Sequence, residues 1–238
     1  MKDPIIIDAT IVSRPINIEA LSFADNPQPR CPVVLLLDCS SSMAGDPIKA
    51  LHGAVDQFYQ EMAEDPIASM SIEVCVIAFG AGVRVVRGFE TIADARGKRF
   101  PELQADGMTP MGGAIRMGLD EIGQRRKFYK WSGMSAYKPW MVLFTDGQPN
   151  DAWQEPAQRA RDTALNGQLV FLGVGIGSSV DMQTLNAMVP GDPGAQRLQG
   201  LKFRNFFRWL SDSLRVVSSG SAINQPFIPS SDGYDWAV

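Results

Sequence analysis

The sequence has very little of the two residue types that build most soft-metal and nucleophilic sites. Among its 238 residues there are one histidine, His52, and three cysteines, Cys31, Cys39 and Cys75, with no C-x-x-C pair. A zinc site of the usual Cys/His type therefore lacks its ligands. An odd number of cysteines without the spacing of a disulfide framework favours reduced thiols, so we expect a cytoplasmic protein.

Long hydrophobic runs and an excess of positive charge are also missing. The N-terminal run Ile5-Ile6-Ile7 is too short for a signal peptide, and no segment approaches the roughly 20 apolar residues of a membrane span. With 22 basic and 26 acidic side chains, the formal net charge is −4, which gives nucleic acid or anionic lipid no electrostatic attraction. We therefore expect neither nucleic acid nor a membrane as a partner.

Hydrophobic residues, in contrast, make up 45% of the chain, enough for a sizeable core. Apolar runs alternate with segments of helical periodicity, a pattern that predicts an α/β, Rossmann-like fold with a mainly parallel central sheet and helices on both faces. Buried strands are predicted at 33–37, 72–79, 140–144 and 169–174, and an antiparallel edge strand at 83–89. Helices are predicted to begin at Asp46 and Thr109, where a capping residue precedes proline, and to cover 152–166, 181–188 and 203–217.

The two ends of the chain differ from its middle. Residues 1–30 mix extended-looking pieces with a polar Asn26-Pro27-Gln28-Pro29 link, and residues 219–238 are rich in Ser, Gly and Pro. We therefore expect an N-terminal extended arm over 1–30, one α/β domain over 31–218 and a C-terminal tail over 219–238.

Oxygen-bearing side chains follow two of the predicted strands and precede one helix. Asp38, Ser40 and Ser42 follow the first strand, Asp146 follows the strand at 140–144, and Thr109 stands at the start of a helix. In open α/β sheets, ligands bind at the carboxyl ends of the strands. Two carboxylates and three hydroxyls form a site suited to Mg²⁺ or Mn²⁺, with Ca²⁺ less favoured and softer metals poorly matched.

Four of these five residues also have a simpler interpretation. Ser40 and Ser42 fit ordinary loop or capping positions, and Asp146 with the following glycine fits a plain turn. Thr109 before proline fits a helix N-cap as well as it fits a metal ligand. The order of the three segments, each at a strand end or a helix start, favours the metal interpretation for the set.

The same segments carry a family resemblance. The D-x-S-x-S loop, the later threonine and the T-D-G after a buried strand resemble the metal-ion-dependent adhesion site (MIDAS) of von Willebrand factor A (vWA) domains. Over about residues 31–218, LLLDCSSSM, TPMGGAI and KPWMVLFTDGQPNDAW resemble the TerY-like branch, which is associated with bacterial tellurium-resistance and stress operons. The resemblance implies these metal ligands, with the serines and usually the threonine bound directly and at least one aspartate through water: Asp38, Ser40, Ser42, Thr109 and Asp146. The sequence departs from the family at Cys39, commonly threonine, and at Ser41, commonly glycine, where a positive φ would strain a serine.

The function implied by the resemblance is binding and not catalysis. The chain would be a metal-dependent protein–protein interaction module, and a partner would complete the metal coordination with an Asp or Glu carboxylate. The TerY-like branch further implies a PP2C-type phosphatase and a Ser/Thr kinase as partners in a stress or phospho-signalling complex.

Two other functions stay open from the residues. A magnesium-dependent phosphohydrolase could use Asp38 as its nucleophile, although the D-x-D of haloacid-dehalogenase-type enzymes has serine here at position 40. A self-assembling structural module could use Asp232 or Asp235 of the tail to cap the metal of a neighbouring chain.

Three further features receive structural interpretations. Gly173, Gly175 and Gly177 do not complete the dinucleotide-binding fingerprint, because another residue type stands where its third glycine is required. We expect these glycines to release the chain at a strand end. His52 is interpreted as a surface or half-buried structural residue. The basic segment 124–127 is interpreted as a solvated helix end, with contact to an acidic partner as the alternative.

Overall fold

The computed structural model describes residues 26–191, 194–219, 234, 235 and 237. Most of the expected N-terminal arm, residues 1–25, and most of the expected tail, residues 220–233, lie outside the described residues. None of the helices in the described part of the chain combines the length and the apolar composition needed to cross a bilayer.

The centre of the fold is a six-stranded sheet. Its strands are β1 (Cys31–Asp38), β2 (Ile72–Phe79), β3 (Val83–Thr91), β4 (Trp140–Thr145), β5 (Val170–Ile176) and β6 (Ala195–Leu198), in the order β3-β2-β1-β4-β5-β6. Only β3, at one edge, pairs antiparallel, and it follows β2 through a short hairpin. The predicted fold class, a mainly parallel sheet with one antiparallel edge strand, is confirmed.

Helices cover both faces of the sheet. They are α1 (Asp46–Ala63), α2 (Pro66–Ser71), α3 (Ile92–Ala95), α4 (Met111–Ser132), α5 (Gln154–Leu165), α6 (Met182–Met188) and α7 (Phe203–Ser218). Val33 and Leu35 belong to the core layer beneath α1 and α7, whereas Val34 and Leu36 belong to the layer beneath α4 and α5. Because successive side chains of a strand point to opposite faces, a continuous aliphatic run such as β1 is what a strand covered on both sides requires.

Both predicted N-caps are wrong. α1 begins at Asp46 itself and its cap is Gly45, at φ 86°; α4 has Pro110 in the cap position, and neither cap makes a side-chain hydrogen bond. The sequence pattern D-P or T-P marks the helix start within one residue, but which residue accepts the free N–H groups depends on the incoming loop.

The glycines of β5 have a different role from the one expected. A Cβ on Gly173 would lie 3.1 Å from Leu185, and one on Gly175 would lie 2.7 Å from the sulfur of Met182. These two glycines therefore let α6 pack closely on the strand. Only Gly177, at φ 75°, releases the chain at the strand end.

Candidate metal centre

The site is built where β1 and β4 end side by side. The two strands pair in parallel, with Leu37 opposite Phe144, so the next residues, Asp38 and Thr145, lie together. The Asp38 Oδ2 accepts a hydrogen bond of 2.6 Å from the Thr145 hydroxyl, and its Oδ1 accepts one of 2.8 Å from the Ser40 N–H. Asp38 is 0% exposed, so both carboxylate oxygens are held in fixed positions inside the protein.

The electrostatics of Asp38 are those of a buried acid. Burial raises the pKa of the Asp38 carboxyl, the hydrogen bonds from Ser40 and Thr145 oppose that rise, and the nearby charge of Asp146 adds to it. A divalent cation at this edge of the sheet would favour the charged carboxylate, because an opposite charge nearby lowers the pKa of an acid.

The two serines continue the site from Asp38 to Asp146. The Ser40 and Ser42 hydroxyl oxygens lie 3.0 Å apart, and the Ser42 hydroxyl donates a hydrogen bond of 2.7 Å to the Asp146 Oδ1. In an extended chain, residues two apart point to the same side, so the D-x-S-x-S spacing by itself would place these side chains together. Instead, residues Ser41–Met43 form a 3₁₀ turn, and it is this turn that brings the hydroxyls together.

Ser41 occupies the position where the family commonly has glycine. Among the described residues other than glycine, only Asp235 has a positive φ. Ser41 is therefore free of the strain that a left-handed backbone would impose on it.

The loop that leads to Thr109 is fastened directly to the serine loop. The Asp106 N–H donates to the Cys39 carbonyl at 2.8 Å, and the Ser41 N–H donates to the Gly107 carbonyl at 3.0 Å. Gly80, which follows β2, lies so close to the serine loop that a Cβ at this position would be 2.4 Å from the Cys39 carbonyl oxygen. Only glycine fits at position 80 without moving one of the two loops.

Thr109 joins the site through the loop that follows β4. Its N–H donates to the Asn150 side-chain oxygen at 3.0 Å, and its carbonyl accepts from the Asn150 N–H at 3.1 Å. A Cβ on Gly147 would lie 3.5 Å from the Thr109 hydroxyl oxygen, which places that hydroxyl next to the residue that follows Asp146. Since Pro110 holds the cap position of α4, the Thr109 hydroxyl is not used as a helix cap.

Sequence reasoning missed two residues that support this arrangement. Asn150 holds Thr109, and Asp151 caps α4 from another loop, accepting from the Gly112 and Gly113 N–H groups at 2.9 and 2.8 Å. The only signal was their position, since two polar residues follow shortly after T-D-G. Both residues contact the start of α4, some 40 positions earlier in the chain. A tertiary contact of this kind leaves no local pattern in the sequence.

The structure therefore brings the five predicted residues to one edge of the sheet. Asp38, Ser40, Ser42 and Asp146 are connected by hydrogen bonds or short oxygen–oxygen contacts, and Thr109 lies beside them. In the described part of the chain, no three His, Cys, Asp or Glu side chains are grouped so that they could hold a metal. Any cation here would depend on two carboxylates supplemented by hydroxyl oxygens, a donor set that suits hard divalent ions.

Cys39, within the serine loop, and His52, in α1, have structural roles. Cys39 is 2% exposed in the core, and burial raises the pKa of its thiol to about 12, so it remains neutral. His52 is half-buried, with its ring centroid 5.5 Å from that of Phe100, which agrees with a structural role.

Several solved structures share this fold. Proximal thread matrix protein 1 from the mussel byssus has 18% identity and a TM-score of 0.59, over 80% of this chain and 49% of that chain. A structure of the same mussel protein with a zinc-occupied MIDAS motif has 17% identity and a TM-score of 0.59, over 79% of this chain and 48% of that chain. The pilus adhesin SpaC from Lactobacillus rhamnosus GG has 14% identity and a TM-score of 0.64, over 79% of this chain and 31% of that chain.

The chain thus spans about half, or less, of the length of these proteins. At these low identities, the similarity shows a shared fold alone. No curated protein sequence matches the chain significantly. The family model of the von Willebrand factor type A domain matches residues 33–205, which include most of β1, all of β4 and all five predicted site residues. The chain therefore belongs to the von Willebrand factor type A domain family.

Proposed function

We propose that the chain is a non-catalytic, metal-dependent protein-interaction module whose metal is held by Asp38, Ser40, Ser42, Thr109 and Asp146. The observation that supports the proposal most strongly is the continuous series of polar contacts from the buried Asp38 carboxylate, through the Ser40 N–H and the Ser40 and Ser42 hydroxyls, to Asp146. Carboxylate and hydroxyl oxygens are the donors that a hard divalent cation prefers.

The five residues would bind the metal in two different ways. Ser40, Ser42 and Thr109 would bind directly through neutral oxygens, while Asp38 and Asp146 supply charge, at least one of them through water. The bound cation would supply an electrophilic position that a carboxylate from a partner protein can occupy. We expect Mg²⁺ or Mn²⁺, and the zinc-occupied MIDAS of the mussel protein makes Zn²⁺ a necessary comparison.

The proposed biological setting is a cytoplasmic complex of the TerY-like kind. The motifs LLLDCSSSM, TPMGGAI and KPWMVLFTDGQPNDAW support this branch, and with it a bacterial tellurite-resistance, stress or phospho-signalling complex with a PP2C-type phosphatase and a Ser/Thr kinase. Co-purification of the chain with such enzymes from the same operon, in Mg²⁺ and then in chelator, tests the assignment. Absence of both enzymes, or retention that ignores the chelator, would contradict it.

The geometry of Asp38 disfavours the phosphohydrolase alternative. A phosphoryl nucleophile needs a carboxylate oxygen that reaches the substrate, whereas Asp38 is 0% exposed and each oxygen already accepts a hydrogen bond. Turnover of an aryl phosphate that disappears in Asp38→Asn would reinstate the enzyme hypothesis.

In the self-assembly alternative, one of the two candidate residues already has a partner in its own chain. Asp235 forms an ion pair of 2.6 Å with Lys202 of its own chain, and Asp232 lies outside the described residues. An unchanged mass in light scattering after removal of the tail would exclude this alternative.

Metal-dependent stability tests the proposed site itself. At 10 to 100 times its Kd, a bound metal adds about 1.4 to 2.7 kcal/mol to the free energy of unfolding, which for a domain of this size raises Tm by about 3 to 10 °C. Ser42→Ala should reduce this gain, because Ser42 is exposed and its hydroxyl faces Asp146. The matched control is Ser132→Ala at the far end of α4.

Thermal melts in chelator, Mg²⁺, Mn²⁺, Ca²⁺ and Zn²⁺ give the comparison. A gain that is equal in the parent and in Ser42→Ala would reject these residues as ligands. The absence of any gain at millimolar metal would reject the metal site.

A further inference from the structure

The outward face of the last turns of α4 is strongly basic. Arg126, Lys127 and Lys130 are exposed, and none of them forms an ion pair with another described residue. Residues 122–139 contain no Asp or Glu, in a chain whose net charge is −4. The positive charge is therefore concentrated on this face and is not neutralised within it.

Arg125 is separate from this face and fixes the helix instead. Its Nε and Nη2 donate to the Glu73 carboxylate at 2.7 and 2.9 Å, and the Tyr129 hydroxyl donates to the same carboxylate. Arg30 also approaches Glu73, at 3.2 Å. With Glu73 0% exposed, this buried network holds one side of α4 rigidly and leaves the three cations pointing outward.

A large aromatic side chain stands beside the three cations. Trp131 is 68% exposed, and its ring centroid lies 6.0 Å from that of Phe128, which in turn lies beneath the Arg125 guanidinium at 4.9 Å. Residues four apart on a helix are neighbours, so Lys127 lies next to Trp131 and Arg126 next to Lys130. Tryptophan and arginine are enriched at protein interfaces, and an exposed tryptophan on a fixed support, surrounded by a charged rim, has the properties of an interface anchor.

This basic–aromatic face lies far from the candidate metal centre. α4 begins beside Thr109 and contains 22 residues, so its end is about 33 Å away, toward the amino-terminal ends of the strands, where Arg125 contacts Glu73 of β2. A ligand on this face would not touch Asp38, Ser42 or Asp146.

We propose that the basic–aromatic face of α4, formed by Arg126, Lys127, Lys130 and Trp131, is a second docking surface that binds an acidic segment of a partner protein containing an aromatic or aliphatic residue. The carboxylates pair with the three cations, and the apolar residue packs on Trp131. The chain then connects two partners, one through the metal and the other through this face.

Charge complementarity favours an acidic peptide segment over a membrane or a nucleic acid. A wide anionic surface meets the whole protein, whose net charge of −4 opposes the approach, and three cations with one tryptophan adsorb weakly. A narrow segment interacts electrostatically with the basic–aromatic face alone, because the charges elsewhere on the protein lie beyond a Debye length of about 8 Å and are largely screened.

Fluorescence anisotropy with a short labelled peptide of Glu and Phe tests the proposal on the full chain. The peptide should bind, its affinity should fall as salt is raised, and a peptide with Gln in place of Glu should bind at least about tenfold more weakly. Arg126→Gln with Lys130→Gln, and separately Trp131→Ala, should each weaken binding by about tenfold. The matched control, Arg96→Gln with Arg99→Gln, removes the same charge at another exposed site and should leave binding unchanged.

The result in chelator separates this surface from the metal centre, because peptide binding should be the same with and without divalent metal. Equal binding of the Gln peptide would overturn the proposal, as would equal losses in the control pair. Tighter binding to vesicles containing phosphatidylserine, or to single-stranded RNA, at the same salt would assign the face to a different partner and overturn it as well. Circular dichroism of each variant verifies that the helix is intact.

Discussion

The hydrogen bond between Thr145 and Asp38 gives the most direct test of how the candidate metal centre is organised. In Thr145→Val the shape of the side chain is kept and the hydroxyl that donates to the Asp38 Oδ2 is removed. Both residues are 0% exposed, and valine fills the space of threonine, so the substitution leaves no room for a water molecule to replace the lost donor.

The expected cost follows from the charge of the acceptor. A hydrogen bond to a charged group contributes about 1.5 to 3 kcal/mol, and a buried acceptor left without a partner costs a similar amount. We therefore expect Thr145→Val to lower the free energy of unfolding by about 2 kcal/mol at pH 7 without metal. For a domain of this size the corresponding decrease in Tm is about 4 to 8 °C.

The pH dependence of this difference has a definite sign. The Thr145 hydroxyl stabilises the charged carboxylate and so lowers the pKa of Asp38, against the larger effect of burial, which raises it. Removing the hydroxyl raises the folded-state pKa further. The stabilisation from this hydrogen bond is therefore complete above the folded-state pKa of Asp38 in Thr145→Val and disappears as the pH falls from there through the lower pKa of the parent.

Urea unfolding in chelator, at pH 7 and at pH values descending through the acid range, measures this difference. Thr163→Val, a surface change of the same kind in α5, serves as the control and should stay within about 0.5 kcal/mol of the parent. If Thr145→Val were as stable as the parent at pH 7, or if its deficit grew as the pH fell, the description of Asp38 as a buried, hydrogen-bonded carboxylate would be wrong.

Two further predictions concern the surroundings of the site. Burial raises the pKa of Cys39 and of Cys75 to about 12. A disulfide reagent at pH 8 should therefore leave both thiols unmodified in the native protein and react with them after denaturation. Modification of the native protein at the rate of free cysteine would refute their burial. Gly112→Ala would place a Cβ 2.5 Å from the Ala152 carbonyl oxygen and should cost about 1 to 3 kcal/mol in urea unfolding, whereas Gly123→Ala, in open space on the same helix, should add up to about 1 kcal/mol. An equal effect of the two changes would show that α4 does not pack against the loop after β4.

The strong local patterns of this sequence account for how much of the fold was predictable. A continuous aliphatic run such as that of β1 is typical of a strand covered on both faces, and the predicted strand at 33–37 lies within two residues of the observed bounds at each end. The four-residue strand β6 and the short helices α2 and α3 were missed, because segments of this length carry too few periodic positions to be recognised. The two wrong N-caps, at Asp46 and Thr109, failed for another reason, since a loop geometry decides which atom meets a helix end.

For the candidate site, the sequence by itself determined the residue types and their place at strand ends. Scarcity of histidine and of paired cysteine left Asp, Ser and Thr as the donors, and the order of the motifs placed them at the carboxyl edge of a parallel sheet. Only the tertiary structure decided how these donors meet. The pairing of β1 with β4 sets Thr145 on Asp38, a 3₁₀ turn joins Ser40 to Ser42, and Asn150 holds Thr109. Each of these contacts except the serine pair joins residues about 40 to 107 positions apart, and no local pattern along the chain encodes a distance of that kind.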